Sequence, residues 1–180
     1  ATLDSIKSIT TYTGNEGEEK AQYTYSYNYA GDTIKTVTDF DYTADRLTQS
    51  TAYRNNTVTD DILLATMDVI KSITTYFGDE GEEKAQSTYN FNFDGNLIKT
   101  VTEFTYSSET LTQSSTYRNN TPTDQIDQAT MDVIKSITTY SGDEGEEKAE
   151  YTYKYNFDGD MIKTVTEFTY SGETRANSGL

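Results

Sequence analysis

The stretch YTYSYNYAGDTIKTVTDFDYT, residues 23–43, decides the reading of this chain. Tyr23, Tyr25, Tyr27 and Tyr29 stand two apart, and successive side chains of a β-strand alternate between faces, so this spacing places all four rings on one side of a strand. Thr24, Ser26 and Asn28 occupy the other, solvated side. A turn with Gly31 follows, because glycine takes positive φ without steric cost, and then a run rich in Thr, Ile, Val, Phe and Tyr, residue types that favour strands. Two strands and a short turn make an antiparallel hairpin.

The same pattern recurs downstream. Tyr89, Phe91 and Phe93 form a second aromatic strip, and Tyr151, Tyr153, Tyr155 and Phe157 a third. The recurrence extends well beyond the strips. SIKSITTYTGNEGEEKAQ from Ser5 returns as VIKSITTYFGDEGEEKAQ from Val69 and VIKSITTYSGDEGEEKAE from Val133, a step of 64 residues each time (69 − 5 and 133 − 69). Between 65–107 and 129–171 only seven of 43 aligned positions differ. Conservation this close exceeds what packing demands and points to a unit used for its length or valency, hence to structure or binding rather than catalysis.

The copies are 1–64, 65–128 and 129–180, the third C-terminally incomplete because SGETRANSGL stands where copy two has SSETLTQSSTYRNN. Within copy two the strand signals fall at Ile70 to Phe77, around Tyr89 to Phe93, at Leu97 to Tyr106 and at Leu111 to Arg118, with turn chemistry between them. A weaker internal repeat aligns the segment from Lys71 with that from Lys99, so each copy reads as two related hairpins. The expected fold is all-β: tandem repeats of four-stranded antiparallel meanders forming an extended repeat array. Residues 57–68 and 121–132 connect the copies; Ile62, Ala65, Thr66 and Val69 follow helical spacing behind a cap at Thr59 or Asp60, which predicts a short crossing helix, with an extended linker as the alternative. Pro122, the single proline, is tolerated at the start of such a segment.

Composition narrows the function. Fourteen basic against 30 acidic residues leave a net charge of −16, which repels phosphate backbones and anionic bilayers, so no nucleic acid partner is expected. No apolar run approaches the roughly 18 residues of a spanning helix, and no membrane insertion is expected. The chain has no Cys, His or Trp, which removes disulfides, thiolate metal sites and the usual proton-transfer residue. With one third of residues apolar, and 16 Tyr and 7 Phe among them, the core must be thin, lined by the aromatic strips and shared across the junctions between copies.

Residues Tyr89 to Leu97, YNFNFDGNL, resemble the YD (RHS) repeats of bacterial surface and secreted proteins, as do Tyr153 to Met161 and, more loosely, Tyr25 to Ile34. The resemblance covers about a third of each copy. It departs from the pattern where Asp94 and Gly95 are adjacent and where Ala30 replaces the acid. It implies long curved sheets of hairpins that serve as scaffold or shell, with chemistry carried elsewhere, and an extracellular or cell-surface location.

Three further patterns compete for a role. The loops carrying Glu16, Glu18 and Glu19, then Asp79, Glu80, Glu82 and Glu83, then Asp143, Glu144, Glu146 and Glu147 hold 11 of the 30 acids. Their carboxylates are candidate Ca²⁺ ligands, since that ion takes six to eight oxygens, although EF-hand spacing is missing and a solvated hairpin tip is the plainer reading. Exposed Tyr rows would suit a glycan or protein ligand; packed ones would serve as core. Thr rows such as Thr100 and Thr102 are good strand formers. The expected protein is non-catalytic and without a cofactor, Ca²⁺ aside: a segment or subunit of a bacterial surface fibre, stalk or filament. Head-to-tail strand addition between Ile6 to Thr13 of one chain and Arg175 to Leu180 of another would polymerise it. The alternative is an adhesin module with Tyr-rich faces.

Overall fold

The computed structural model describes residues 5–170. Eleven strands run in chain order: β1 (Ser8–Thr13), β2 (Lys20–Tyr27), β3 (Ile34–Thr43), β4 (Arg46–Arg54), β5 (Val69–Phe77), β6 (Lys84–Phe91), β7 (Ile98–Ser107), β8 (Thr110–Arg118), β9 (Val133–Ser141), β10 (Lys148–Tyr155) and β11 (Ile162–Glu167). Each pairs antiparallel with its neighbours in sequence, so the described residues form one continuous all-β sheet from β1 to β11. Every ladder carries one register irregularity, such as that between Thr75 and Tyr76 in β5. A bulge of this kind adds local twist.

Two turn types join the strands. Thr43 pairs with Arg46 and Ser107 with Thr110, leaving two-residue turns whose central residues, Ala44-Asp45 and Ser108-Glu109, all have positive φ. Positive φ at both central positions is the mark of the type I′ turn, whose twist matches that of a hairpin. The β6–β7 turn is built on Asn92. Its backbone N–H donates to Leu97 O at 2.8 Å, and its side-chain Oδ1 accepts from the N–H groups of Asn96 and Leu97. Gly95 sits in this turn at φ +73, and a Cβ there would lie 2.7 Å from Ile70 N, so glycine is required by close approach to β5 as well as by φ. Asn28, expected to be solvated on the strand, organises the equivalent β2–β3 turn.

The alternation of the strips therefore stops one residue earlier than expected. Tyr23, Tyr25 and Tyr27 lie on β2, Tyr89 and Phe91 on β6, and Tyr151, Tyr153 and Tyr155 on β10. Tyr29, Phe93 and Phe157 lie past the strand ends and are 92%, 82% and 79% exposed. Once the Asn takes the turn, the next side chain no longer has a pleat to stand on.

The two faces of the sheet differ. Thr10 and Thr24, Thr74 and Thr88, Thr102 and Thr116, and Thr138 and Thr152 share cross-strand hydroxyl hydrogen bonds at 2.8–2.9 Å on one face. The other face carries the strip aromatics with Ile34, Val37, Ile98 and Val101, and these four aliphatics are nearly inaccessible. Among the described residues only Phe91 of the strips is fully buried; the strand tyrosines are half-buried. Phe91 forms one core cluster with Ile98 and Val101, and Ile70, Ile73 and Tyr89 pack against it partly buried, so the core joins aliphatics to one strip aromatic.

What covers the aliphatics is the connection. After β4, residues 55–68 double back over β2 and β3: Ile34 N–H donates to Thr59 O at 2.8 Å and the Tyr27 hydroxyl to Asp60 O at 2.9 Å. After β8, Ile98 N–H donates to Thr123 O at 2.8 Å, and Ile126 and Ala129 pack on Phe91, Ile98 and Val101. Neither connection is an α-helix. The Thr59 and Thr123 hydroxyls accept from the N–H two residues on, as a cap does, yet only a three-residue 3₁₀ turn, Ile126–Gln128, follows in one and a plain turn in the other. One turn of helix does not repay its nucleation, and the side chain of Asn119 offers the backbone better partners. Its Nδ2 donates to Ile98 O and Thr121 O, while its Oδ1 accepts from Thr121 N, Thr130 N and the Thr130 hydroxyl. Asn55 holds the first connection in the same way.

Candidate functional site

Equivalent ion pairs and arginine contacts recur at two joints, where β4 meets β5 and where β8 meets β9. At one end of the strands the acidic loops act as hooks. Glu83 follows the β5–β6 loop, and its carboxylate accepts from Leu47 N, at the start of β4, and from Gly81 N, both at 2.9 Å. Glu147 accepts from Leu111 N and Gly145 N at the same distances. These backbone donors, Leu47 first for Glu83 and Leu111 first for Glu147, hold both carboxyls below the usual glutamate range.

A lysine completes each hook. Lys20 bridges Asp45 and Glu80, each at 3.0 Å, and Lys84 bridges Glu109 and Glu144, the latter at 2.8 Å. The carboxylates are well exposed, so each pair adds little stability, but the geometry fixes which loop meets which hairpin. Of the expected Ca²⁺ ligands, then, Glu80, Glu83, Glu144 and Glu147 make protein contacts. Asp79, Glu82, Asp143 and Glu146 remain exposed on the loops, and among the described residues no three acids converge on a point where a metal ion would sit.

At the other end of the strands, arginines close the joint. Arg54, the last residue of β4, donates from Nη1 to Ile70 O, Asn92 O and Phe93 O at 3.1–3.2 Å, and its guanidinium lies 5.5 Å from the Phe93 ring centroid. Arg118, the last residue of β8, donates to Ile134 O and lies 5.4 Å from the Phe157 ring. Lys7 sits 4.8 Å from the Tyr29 ring. The exposed aromatics that left the strips are therefore seats for cations. Between the two ends, Tyr76 and Tyr140 share hydrogen bonds with Ser50 and Ser114, again across β4–β5 and β8–β9.

Sequence reasoning singled out the acids and the aromatics but missed Arg54, Arg118, Asn55 and Asn119. One available signal was the Tyr-Arg-Asn-Asn run at the end of β4 and of β8. No His or Cys is present for nucleophilic or metal chemistry, and the carboxyl most clearly pushed up, Asp39, is raised by burial and by Asp41 within the strands, away from either joint. Among the described residues no helix is long and apolar enough to cross a membrane. No family model matches the chain, and no curated protein matches it.

Proposed function

We propose that this chain is a non-catalytic structural repeat protein of the cell exterior: a segment or subunit of a surface fibre, stalk or filament. Its unit is a four-stranded antiparallel meander of two YD-type hairpins, present in 1–64 and 65–128 and, C-terminally incomplete, in 129–180. The observation that carries the reading is that β4–β5 and β8–β9 are held by equivalent contacts 64 residues apart: a Glu on a backbone N–H, a Lys between two acids, an Arg on an aromatic. A joint that can be used twice can be used again, and a sheet built this way lengthens without changing its cross-section.

Head-to-tail polymerisation by strand addition is the form of extension we favour. It would use the open edge of β1, which lies within Ile6 to Thr13, and Arg175 to Leu180, a segment outside the described residues. Negative-stain electron microscopy of the purified chain, with and without a calcium chelator, tests the reading. Uniform fibres that survive chelation and vanish when 175–180 are deleted support it. A monomer with saturable ligand binding overturns it in favour of an adhesin module. That second reading is favoured by one observation, the exposure of Tyr29, Phe93 and Phe157 along one end of the sheet, where glycan or protein ligands would stack. Glycan-array binding lost in a Tyr29→Ala, Phe93→Ala, Phe157→Ala variant would establish it.

A further inference from the structure

The two connections follow one path with different residues on it. Ile34 N–H donates to Thr59 O and Ile98 N–H to Thr123 O, each at 2.8 Å, and Asn55 and Asn119 hold their segments through equivalent bonds. The turn inside each also agrees: Leu64 N–H donates to Asp61 O at 3.1 Å and Gln128 N–H to Gln125 O at 3.2 Å. Ile62 and Ala65 are half-buried in the first, as Ile126 and Ala129 are in the second. Yet where the first has Val58, Leu63 and Leu64, the second, 64 residues on, has Pro122, Asp127 and Gln128. Val58 is 90% exposed, Leu63 86% and Leu64 60%, with Met67 of the same segment at 42%. The path does not need those apolar side chains, since a proline, an acid and an amide serve it equally well. Single exposed hydrophobics are ordinary, but several on one short segment mark a contact surface.

We propose that the outer surface of residues 58–67 is a docking site for one kind of partner: a polypeptide segment whose apolar side chains are flanked by lysine or arginine. The apolar part of the occupant follows from Val58, Leu63 and Leu64, whose removal from water is the gain that binding offers. Its charge follows from what surrounds them. Asp60, Asp61 and Asp68 are exposed on the same connection, and no Lys or Arg lies between 55 and 68. A cationic rim on the partner therefore meets a negative rim here, which steers the encounter and selects against acidic competitors. A second copy of this chain is a poor occupant, because two such patches face to face would oppose their own aspartates and each chain carries a net charge of −16. The second connection is the internal contrast: Asp127 and Gln128 take the apolar surface away from a segment with the same path, so it offers no such site. The patch lies on a connection and not on a strand edge, so the site stands whether or not the sheet extends.

A short fluorescein-labelled peptide of leucine and lysine, with the leucines at helical spacing, titrated into the full chain, tests the site by anisotropy. Saturable binding of one peptide per chain is expected, with amide shifts confined to residues 55–68 and the strands beneath them. A chain carrying Val58→Pro, Leu63→Asp and Leu64→Gln should bind at least about tenfold more weakly, the loss expected when the apolar centre of a contact is removed. These are the residues of the second connection, which takes the same path with them, so the variant should keep the parent circular dichroism spectrum. Asp60→Asn with Asp61→Gln should weaken binding by a smaller factor and flatten its dependence on salt. A control peptide with serine in place of leucine should not saturate. Absence of saturable binding overturns the proposal. Equal affinity in the triple variant, or amide shifts centred on the acidic loops, also overturns it, because the peptide would then be reading only the negative charge of the whole chain. Self-association that Leu63→Asp abolishes, with the peptide excluded, would put a second copy in the site and overturn the basic partner.

Discussion

Ile98 and Ile162 begin the same nine-residue sequence, each on the same kind of hairpin, and one is buried while the other is half open to solvent. Burial in this protein is therefore not a property of the hairpin. A single-layer sheet lends each face to water unless something lies over it, and here the cover is a 14-residue connection, 119–132, laid back over the strands that precede it. Among the described residues, β7 has both that cover and the edge strand β8, and together they enclose about two aliphatic side chains, each worth roughly 1.5–3 kcal/mol when fully buried.

The largest expected effect tests that contrast directly. Ile98→Ala should cost about 2–5 kcal/mol, the range for truncating a buried aliphatic, while Ile162→Ala should stay within about 1 kcal/mol because half the side chain is already solvated. Denaturant unfolding of the two variants, followed by Tyr fluorescence, decides the matter. Equal losses would mean that the hairpin, and not the connection, sets the stability of these positions.

Next comes the anchor of the cover. Asn119 makes five hydrogen bonds across the connection, and Asn119→Ala leaves the backbone groups of Ile98, Thr121 and Thr130 without their partner, at a cost of about 1–3 kcal/mol. Hydrogen exchange should then show the Ile98 and Thr130 amides opening while those of β10 and β11 are unchanged. Faster exchange spread evenly over the sheet would show that the cover is not a separable element.

These two regions also mark what could be read from the sequence. Three strands of copy two fall within one residue of expectation, because alternation is a local signal and Val101 and Tyr117 each stand on a pleat, whereas β6 begins at Lys84, five residues before the aromatic strip that marks it. Antiparallel pairing of neighbours follows from turns as short as Ser108-Glu109. The fate of Phe93 was not legible, because the turn that displaces it depends on Asn92 accepting two backbone N–H groups, which period-2 spacing does not encode. Of the two alternatives for the connection, the helix fails for a related reason. Its helical spacing at Ile62, Ala65 and Thr66 is real, but the segment's backbone is claimed by the Asn55 side chain and by Ile34 of β3, whose partnership no helical period encodes. The acidic loops could be located from composition alone, whereas their partners, Leu47 N for Glu83 and Leu111 N for Glu147, come from the preceding hairpin 36 residues back.

The acidic hooks predict a smaller effect with a definite sign. Glu83 and Glu147 have folded values below their unfolded one, so the stability they contribute is complete above the unfolded value and is lost as pH falls through the folded values. Asp39 acts oppositely: its raised carboxyl, caused first by burial and then by Asp41, opposes folding at neutral pH and relaxes on acidification. Glu83→Gln with Glu147→Gln should flatten the fall in Tm between pH 5 and the acid limit, and Asp39→Asn should raise Tm at pH 7 and steepen the acid fall. An unchanged acid profile in the double variant would show that the hooks are positional rather than energetic.

The smallest expected effect is also the sharpest control on the contrast. Phe93 and Phe157 occupy equivalent turns and each carries a guanidinium, from Arg54 and Arg118, at 5.5 and 5.4 Å. These arginines come from the strand before the joint, so the contact at Phe157 is complete although Ile162 and Val165 of β11, the strand beyond it, are half-exposed. Exposed cation–π contacts are worth about 0.5–1 kcal/mol, and double-mutant cycles with Arg54→Met and Phe93→Ala, then with Arg118→Met and Phe157→Ala, should return the same small coupling energy at both sites. Ile98 and Ile162 should differ several-fold under the same treatment. If the Phe157 coupling were instead absent while that at Phe93 persisted, the exposure of β11 would have loosened the turn as well as the face, and the cover would be supporting the whole hairpin rather than the two aliphatic side chains beneath it.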